Sequence, residues 1–385
     1  MKEAVFIYGS TDLGMPEFSA DLLWRAGGYK VPDQVYFFEI EDKKILFLSS
    51  LEIERAAKEA NADEVVHLDL YFERAKKENI SPAVLFLKER GVAKVIVPEY
   101  LRFRLGVELS KHFEVAIRNS PFYERRALKN EWEISEIEKA QTAVELALGI
   151  GTDWLKKCRV REGFIFDCEG EGRKAYAGDL RKIIDMALFS DGFLGVDTIV
   201  SPGIEAADPH AVGLGPLKAG EPIVVDIFPR SIKTLYFSDQ TRTIFKGEPE
   251  DDYKKMYNVV LFAQEEAILM LKDGVDGKLI HDFVADFFEK SGYSRNLKSR
   301  PVSGFIHGLG HGVGIDIHEP PRINSYSEIL KKGNVVTIEP GLYYSEPKEG
   351  IPACGIRIED ILLIEESGAK NLTKFPKKLE DVIIS

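Results

Sequence analysis

The chain has little cysteine, few histidines, no long hydrophobic run and no excess of positive charge. Its 385 residues include three cysteines and seven histidines, and the formal net charge is −12. No apolar stretch approaches the roughly 20 residues needed to span a bilayer, and the negative charge argues against a polyphosphate partner. Cys158, Cys168 and Cys354 are odd in number and lack metal-type spacing. We therefore expect a reduced, cytoplasmic protein that engages neither membrane nor nucleic acid.

The length exceeds what one hydrophobic core usually serves, so two domains are expected. Residues 1–122 alternate short apolar runs with helical patterns, which predicts a layered α/β domain. Two of these runs, residues 35–40 and 45–48, predict a β-hairpin. In residues 123–385, long amphipathic helices, the first beginning at Glu131, are interspersed with strands. This second region predicts an α+β domain, with helices packed on one face of a largely antiparallel sheet.

Three of the seven histidines, His307, His311 and His318, fall in one glycine-rich segment. Four glycines lie between the first and the last of them and let the backbone bend tightly. Histidine is the commonest protein metal ligand and a proton carrier near neutral pH. The segment is therefore a candidate site, although histidines alone leave its chemistry open. The single histidines His67 and His112 are interpreted as structural or surface residues.

Two aspartates stand in β-rich runs upstream of this segment, Asp226 in residues 222–228 and Asp239 in residues 235–243. If the runs form a hairpin centred near residues 232–233, the two carboxylates lie directly opposite each other, about 5 Å apart. Two buried carboxylates at that distance repel, and a divalent cation between them removes the repulsion. The alternative is that both lie on a solvated strand face. The apolar neighbours of Asp226 favour a functional site.

Two glutamates stand in otherwise apolar β-runs downstream, Glu339 in residues 335–341 and Glu359 in residues 355–363. An unpaired buried glutamate is costly, so a role as metal ligands explains the pattern better than chance does. The two-residue period of a strand places Arg357 and Glu359 on the same face. A salt bridge between them is therefore the alternative explanation for Glu359.

Together these segments offer one imidazole and four carboxylates as metal ligands. The five side chains are those of Asp226, Asp239, His311, Glu339 and Glu359. Four anions are too many for one metal and fit two ions about 3.5–4 Å apart, with carboxylates bridging them. A water held between two such ions gives hydroxide near neutral pH. The oxygen-rich set suits two divalent ions, Mn²⁺ or Co²⁺, with Fe²⁺ or Zn²⁺ as alternatives.

The motifs that carry these residues resemble those of the pita-bread metallopeptidases: methionine aminopeptidase, aminopeptidase P and prolidase. The motifs are Asp239-Gln-Thr-Arg-Thr, His307-Gly-Leu-Gly-His311-Gly-Val-Gly, Ile-Glu339-Pro-Gly-Leu-Tyr and Ile-Arg357-Ile-Glu359-Asp. The resemblance covers about residues 125–367. The N-terminal region is similar to the creatinase-type domain of aminopeptidase P and prolidase, which methionine aminopeptidase lacks. The resemblance thus implies a creatinase-type α/β domain at 1–122 and, at 123–385, a pita-bread catalytic domain whose curved, mostly antiparallel sheet is covered by helices.

The resemblance also implies an activity and a set of ligand roles. The activity would be hydrolysis of Xaa-Pro bonds in short proline-containing peptides, by a dipeptidase or an aminopeptidase, through a hydroxide that bridges the two metals. Asp226 would hold one metal, and Asp239 and Glu359 would bridge the pair. His311 and Glu339 would complete the second metal. A homodimer is implied in the same way.

Further residues match family positions that contact substrate or carry protons. Glu339 would shuttle a proton from the attacking water to the leaving nitrogen, and His318 would stabilise the tetrahedral intermediate. His210 matches a histidine at the mouth of the site. His307 and Arg357 match positions that contact substrate, with a merely structural role left open for His307.

Two departures from the family pattern bear on the substrate subclass. Phe228 stands where many family members have glycine, and the run that begins at Asp21 replaces a tyrosine-rich run. Two other functional classes stay open as alternatives. One is a metal-free pita-bread protein that binds or scaffolds, although such relatives have lost ligands and all five are present here. The other is a mononuclear iron oxygenase, which leaves several acidic residues without a role.

Overall fold

The structure is a computed structural model that describes residues 2–167, 172–298 and 300–385. The chain divides into two compact units, Met1–Arg126 and Ala127–Ser385. Cys168 lies outside the described residues, whereas Cys158 and Cys354 are both buried. Every helix in the described ranges is too short or too polar to cross a bilayer.

Among its described residues, the first unit contains one mixed sheet and five α-helices. Strands β1 to β6 are Lys2–Gly9, Val35–Ile40, Lys43–Leu48, Glu64–His67, Val92–Pro98 and Glu114–Arg118. Helices α1 to α5 are Ala20–Arg25, Ile53–Glu59, Leu68–Glu78, Pro82–Glu89 and Phe103–Leu109. The sheet order is β4-β3-β2-β1-β5-β6, with β2 antiparallel to both of its neighbours and the other pairs parallel.

The predicted hairpin in this unit is confirmed as β2 and β3. Its turn is Glu41-Asp42, and both residues have positive φ, 53° and 64°. That geometry matches the right-handed twist of the strands it joins. Successive residues of β2 pack into different clusters, Phe37 with Leu22 of α1 and Phe38 with Phe86 of α4. The sheet is therefore covered on both faces, as the layered α/β prediction requires.

The second unit contains five helices and fifteen strands among its described residues. Helices α6 to α10 are Glu131–Lys157, Ala177–Ser190, Asp251–Met270, Gly277–Lys290 and Leu379–Val382. Strands β7 to β13 are Arg159–Arg161, Phe164–Phe166, Phe193–Leu194, Ile199–Pro202, Ile223–Ile227, Arg230–Ser231 and Gln240–Lys246. Strands β14 to β21 are Gly310–Gly312, Glu319–Ile323, Val335–Ile338, Gly341–Tyr344, Cys354–Arg357, Asp360–Ile364, Ala369–Asn371 and Ile383–Ile384.

Antiparallel pairing dominates the second unit, as predicted. One sheet has the order β15-β14-β16-β19-β20 and is antiparallel throughout. Another has the order β10-β11-β13-β21 and is parallel only where β13 meets β21. The strands β17 and β18 form a separate hairpin. Helix residues such as Val144, Leu180 and Val260 share one hydrophobic core with strand residues such as Val225 and Leu362.

The start of α6 is fixed by its own sequence. Asn130 accepts a hydrogen bond from the backbone N–H of Glu133, and the Glu133 carboxylate accepts one from the N–H of Asn130. This reciprocal capping box satisfies two backbone donors that the first turn of a helix leaves without partners. The helix begins at Glu131, as the sequence predicts.

The strand register around Asp226 differs from the one expected. β11 pairs antiparallel with β13, and Asp226 lies opposite Thr241 rather than opposite Asp239. The connection is not a simple hairpin, because β12 pairs with β9. The prediction of directly opposed aspartates is therefore wrong. Asp239 precedes Thr241 by two residues, so the alternation of an extended chain places both side chains on one face.

The glycines between His307 and His318 serve two purposes. None of the four adopts the left-handed conformation that favours glycine, but the chain bends over residues 314–318, between the antiparallel strands β14 and β15, as expected. Two of the glycines also permit close backbone approach. A Cβ on Gly310 would lie 2.0 Å from the carbonyl oxygen of Thr337, and a Cβ on Gly312 would lie 2.4 Å from a carbonyl oxygen of β15. Tight strand packing therefore requires glycine at these two positions.

Candidate metal centre

The five predicted ligands come together in the second unit, each in a strand or directly beside one. Asp226 lies in β11, Asp239 precedes β13, His311 lies in β14, Glu339 follows β16, and Glu359 lies between β18 and β19. All five line one cavity of about 300 Å³. Residues from distant parts of the sequence are therefore gathered by the sheets at one place.

His311 lies at the centre of the cluster. Its Nε2 is 3.6 Å from Oδ2 of Asp239 and 3.5 Å from Oε1 of Glu339. Asp239, His311 and Glu359 each offer one ligand atom, and these three atoms lie within 4.8 Å of one another. Such a group of nitrogen and oxygen donors suits a divalent transition metal.

The carboxylates carry buried oxygens that have no hydrogen-bond partner. Asp226 Oδ1, Asp239 Oδ1 and Glu359 Oε1 are all of this kind. A buried carboxylate oxygen without a partner is costly. Divalent cations that coordinate these oxygens would remove the cost, so the residues present fit a metal site.

Burial and mutual repulsion strongly perturb the carboxylates. Burial, followed by the charges of Glu359 and Asp226, raises the pKa of Asp239 well above its usual range. Burial, followed by the charges of Glu339 and Asp226, does the same to the pKa of Glu359. Burial raises the pKa of Glu339 to about 8. Strong shifts of this kind mark functional sites because they reflect charge concentrated without compensation.

His311 is held in the state that a metal ligand needs. Burial, together with the neighbouring His318, lowers the pKa of His311 to about 3, so the ring is neutral near pH 7. Its Nδ1 lies 3.2 Å from the carbonyl oxygen of Gly312, which can only accept a hydrogen bond. The proton is thus placed on Nδ1, which leaves the lone pair of Nε2 directed at Asp239 and Glu339.

Arg357 bonds to a different carboxylate from the one expected. Its Nη2 donates to Oδ2 of Asp226 over 2.6 Å, whereas Oε2 of Glu359 accepts from the hydroxyl of Thr241 over 2.8 Å. The alternative of a salt bridge between Arg357 and Glu359 is therefore not what the structure forms. Arg357 also donates from Nε to the hydroxyl of Thr241 over 3.1 Å.

Tyr343 connects two residues that sequence reasoning treated separately. Its hydroxyl lies 2.9 Å from Nε2 of His307 and 3.0 Å from Nη1 of Arg357. Burial raises the pKa of Tyr343 to about 12, and burial and Arg357 lower the pKa of His307 to about 3. The sequence analysis did not single out Tyr343, because an aromatic residue in an apolar strand looks like core. Thr241 was missed in the same way.

The remaining predicted residues line the same cavity. The ring of His318 stands at 86° to the ring of His311, with 4.4 Å between their centroids. His210 is exposed and also lines the cavity. Phe228 and Arg322 line it as well. Arg322 was not singled out from the sequence, although its place four residues after His318 is a signal that could have found it.

A larger hollow, of about 970 Å³, lies in the first unit but lacks this chemistry. Its lining includes Arg102, Lys111 and a single carboxylate, Glu108. That carboxylate accepts a hydrogen bond from the backbone N–H of Ser81. The cluster of carboxylate and imidazole side chains that could bind metal lies in the second unit.

Comparisons with known proteins agree with this geometry. Residues 136–366 match metallopeptidase family M24. The Xaa-Pro dipeptidase of Pyrococcus furiosus is 31% identical over 81% of this chain and 84% of its own length. The Xaa-Pro dipeptidase of Pyrococcus horikoshii is 30% identical over 89% of this chain and 88% of its own length. The crystal structure of the prolidase from Pyrococcus horikoshii superposes with a TM-score of 0.76 at 26% identity, covering 98% of this chain and 95% of that one.

The matched region contains all five candidate ligands, and it extends over more than half of the chain. The resemblance predicted from the motifs is therefore confirmed, and with it the pita-bread fold of the second unit. This chain belongs to metallopeptidase family M24 and is a peptidase, a hydrolase whose family uses divalent metal.

Proposed function

We propose that this protein is a dinuclear-metal-dependent Xaa-Pro dipeptidase. The observation that carries the proposal is the cluster of three buried, partnerless carboxylate oxygens beside the neutral imidazole of His311. Relatives that are 30–31% identical over most of this chain bear the name Xaa-Pro dipeptidase. The proposed ligands are Asp226, Asp239, His311, Glu339 and Glu359, with Mn²⁺ or Co²⁺ as the preferred ions.

The chain's own residues supply binding and proton transfer. When bound, two divalent ions polarise the scissile carbonyl and make the attacking water acidic. An Xaa-Pro bond is a tertiary amide, so its leaving nitrogen has no N–H and must gain a proton. Glu339, half-buried on the cavity wall, is placed to carry that proton. His318 donates to the developing oxyanion, which is the largest electrostatic contribution in many hydrolases.

His210, His307 and Arg357 complete the proposed substrate site. His210 is exposed and lines the cavity, which suits a role in contacting the incoming peptide. Arg357 is already bonded to Asp226 and to Tyr343, so it orients the ligand set as well as facing the cavity. His307 is bonded to the Tyr343 hydroxyl and lines the same wall.

Arg322 supports a dipeptidase over an aminopeptidase. Its side chain lines the cavity and donates to the carbonyl oxygen of His318 over 3.2 Å. Among the described residues its guanidinium bonds to no carboxylate, so it is open to an anionic ligand. A guanidinium is the cation best suited to a carboxylate. The free C-terminal carboxylate of an Xaa-Pro dipeptide is such a ligand, and a cavity of about 300 Å³ is at the small end for ligand sites.

The remaining expectations belong to the same proposal. We propose a cytoplasmic protein, which the low cysteine content and the free thiol of Cys354 support. A homodimer is proposed from the family resemblance. Short proline-containing peptides are the proposed partners, and the net charge of −12 agrees with the expected lack of nucleic-acid binding.

The test is cleavage of defined peptides, followed by mass spectrometry. The protein is stripped with a chelator, reloaded with Mn²⁺ or Co²⁺, and given Ala-Pro, Ala-Pro-amide, Ala-Pro-Ala and Ala-Ala. We expect metal-dependent cleavage of Ala-Pro and much slower cleavage of the other three. Equal release of alanine from Ala-Pro-Ala would contradict the dipeptidase assignment. Cleavage of Ala-Ala alone, or of no peptide, would contradict Xaa-Pro specificity.

A matched variant tests the role of Arg322. Arg322→Met should raise KM for Ala-Pro by roughly 10- to 100-fold, the value of one lost hydrogen bond to a charged group. It should leave Ala-Pro-amide almost unaffected. The exposed Arg295 offers a control, because Arg295→Met removes the same group away from the cavity. An equal loss on acid and amide substrates would show that Arg322 does not bind the carboxylate.

The metal-free scaffold alternative has no observation in its favour. All five ligands are present and are gathered at one cavity. One carboxylate oxygen in each of Asp226, Asp239 and Glu359 is buried without a hydrogen-bond partner. A binding protein without metal would keep these costly groups for no purpose, so we do not adopt this alternative.

A further inference from the structure

The segment that delivers Asp239 to the site lies outside the strands until Gln240 begins β13. Phe237 forms an isolated bridge to Arg230, and the backbone N–H groups of Phe237 and Ser238 donate to the carbonyl oxygens of Gly314 and Pro229. Leu235 has a left-handed φ of 67°. A functional side chain must be held to within about half an ångström. Contacts beyond these backbone bonds therefore help to hold Asp239.

Helix α6 contacts this segment through buried polar side chains. The hydroxyl of Thr234 donates to Oε2 of Glu136 over 3.0 Å, and the hydroxyl of Tyr236 donates to Oε1 of Glu133 over 2.7 Å. Both glutamates are buried. Buried polar side chains cost stability unless they form hydrogen bonds. The bonds of these two glutamates therefore indicate that α6 holds the segment.

Gln141 of the same helix bonds to both residues that flank Asp239. Its Oε1 accepts from the hydroxyl of Ser238 over 2.6 Å, and its Nε2 donates to Oε1 of Gln240 over 2.6 Å. Gln141 is 1% exposed, and Ser238 and Gln240 are fully buried. One amide thus uses both of its ends on the two neighbours of Asp239, and burial keeps bulk solvent from replacing either bond.

The alternation of an extended chain explains the consequence for Asp239. Side chains at 236, 238 and 240 contact α6, so the alternation along this stretch points the side chain at 239 away from α6 and towards the cavity. There its Oδ2 lies 3.6 Å from Nε2 of His311, and its Oδ1 has no partner. The direction of this carboxylate is therefore set by the bonds of its neighbours rather than by bonds of its own.

We infer that Gln141 is a positioning residue for the Asp239 carboxylate and thereby for metal binding. The inference rests on the proposed function, because it needs Asp239 to be a ligand. Gln141→Met keeps the size of the side chain and removes both hydrogen bonds. Changes behind a ligand typically weaken metal affinity or activity by about 10- to 100-fold. We expect the second Mn²⁺ to bind at least about 10-fold more weakly.

The test is a titration of the metal-stripped, full-length protein with Mn²⁺, followed by calorimetry and by the EPR signal of free Mn²⁺. Leu148→Ala is the matched control. Leu148 lies two turns further along α6, is fully buried in the apolar core, and does not touch the Asp239 segment through a hydrogen bond. It should lower the thermal midpoint by creating a cavity, yet leave the affinity for Mn²⁺ unchanged.

A second variant removes the same bonds from the other side. Ser238→Ala combined with Gln240→Leu should reproduce the loss of Mn²⁺ affinity. Adding Gln141→Met to that pair should cause no further loss, because the three residues act as one unit. In Mn²⁺-saturated protein, Gln141→Met should lower kcat for Ala-Pro more than it raises KM.

The outcomes separate the inference from the function on which it rests. Weakened Mn²⁺ binding in Gln141→Met, with normal binding in Leu148→Ala, supports the positioning role. Unchanged Mn²⁺ affinity in a Gln141→Met protein that merely melts earlier overturns it, as does equal weakening in Leu148→Ala. If the wild-type protein binds no Mn²⁺ at all, the proposed function fails first and the inference fails with it.

Discussion

At the scale of single residues, the centre concentrates charge that the protein alone does not neutralise. Asp239 illustrates this. Its carboxylate is buried, repelled by Glu359 and Asp226, and partnerless at Oδ1. The raised pKa means that the folded chain resists ionising this group. If Asp239 destabilises the metal-free protein and stabilises the metal-loaded protein, a single substitution of this residue should reveal both effects.

Asp239→Asn is expected to have opposite effects in the two states. In chelator at pH 8, the variant should melt at a higher temperature than the wild type, because an amide adds no negative charge. In Mn²⁺ it should melt at a lower temperature and lose more than about 100-fold in kcat/KM, since a direct ligand matters more than the groups behind it. Differential scanning fluorimetry with and without metal measures the two opposite shifts in melting temperature. A variant that melts earlier in both conditions would refute it.

His281 offers a pH-dependent prediction away from the ligands. It lies in α9, packs against Phe305, and burial lowers its pKa below 6.5. Because the folded pKa is depressed, the unfolded chain takes up the proton first as the pH falls below 6.5. Stability contributed by the neutral ring is therefore present above pH 6.5 and is lost below it.

His281→Phe should flatten this dependence. Between pH 7.5 and pH 5.5 the thermal midpoint of the wild type should fall further than that of the variant. The exposed His112 provides the control, because His112→Gln should leave the slope unchanged. Identical slopes in the wild type and in His281→Phe would show that His281 does not titrate on unfolding.

At the scale of elements, a buried ion pair holds the strand that follows His318. Lys129, just before α6, contacts Glu319 at the start of β15, and their side chains are 1% and 3% exposed. The carboxylate of Glu319 also packs against Gly314, where a Cβ would lie 2.5 Å from it. The pair thus joins the entry of the long helix to the loop that presents His318.

Breaking this pair from one side should be costly. Lys129→Met removes one partner of a buried ion pair, which typically destabilises a protein by about 3–5 kcal/mol. The double variant Lys129→Met with Glu319→Gln should regain much of that loss, because it also removes the buried negative charge that Lys129 faces. Urea unfolding measures both free energies of unfolding. A double variant no more stable than Lys129→Met would mean that the pairing is not the cause.

At the scale of the whole molecule, the chemistry is confined to one of two units. All five candidate ligands belong to the unit Ala127–Ser385, in β11 and β14 or beside the ends of β13, β16 and β18. Metal bound by a folded chain stabilises it according to its free concentration, by about 2.7 kcal/mol at one hundred times Kd. This gain in stability should be largest in the strands that carry the candidate ligands.

Hydrogen exchange of the full chain should locate this effect. Addition of Mn²⁺ to stripped protein should slow exchange in β11, β13, β14 and β16. The amides of β1 to β6 should change little, since no proposed ligand lies there. Asp239→Asn serves as the control that should abolish the difference. Slowing of exchange in β1 to β6 alone would place the metal in the first unit and so contradict the proposed ligand set.

Much of the architecture could be predicted from local patterns. Polar caps and amphipathic spacing fixed the start of α6 at Glu131, and apolar runs fixed β2 and β3, because these signals act between residues close in sequence. The sequence also predicts five candidate ligands, and the structure brings all five to one cavity. A carboxylate such as that of Glu339, in an otherwise apolar β-run, is costly to bury, and metal coordination is a common way to offset that cost.

The tertiary structure alone decided how these parts meet. The pairing of Asp226 with Thr241 depends on the extra pairing of β12 with β9, which no local pattern encodes. Tyr343 and Gln141 look like ordinary strand and helix residues until distant chain segments place them beside Arg357 and Asp239. Sequence therefore determined which groups the protein has for its chemistry, since side-chain chemistry is local. Packing between remote segments determined their distances, partners and charge states, since these depend on neighbours that only the fold supplies.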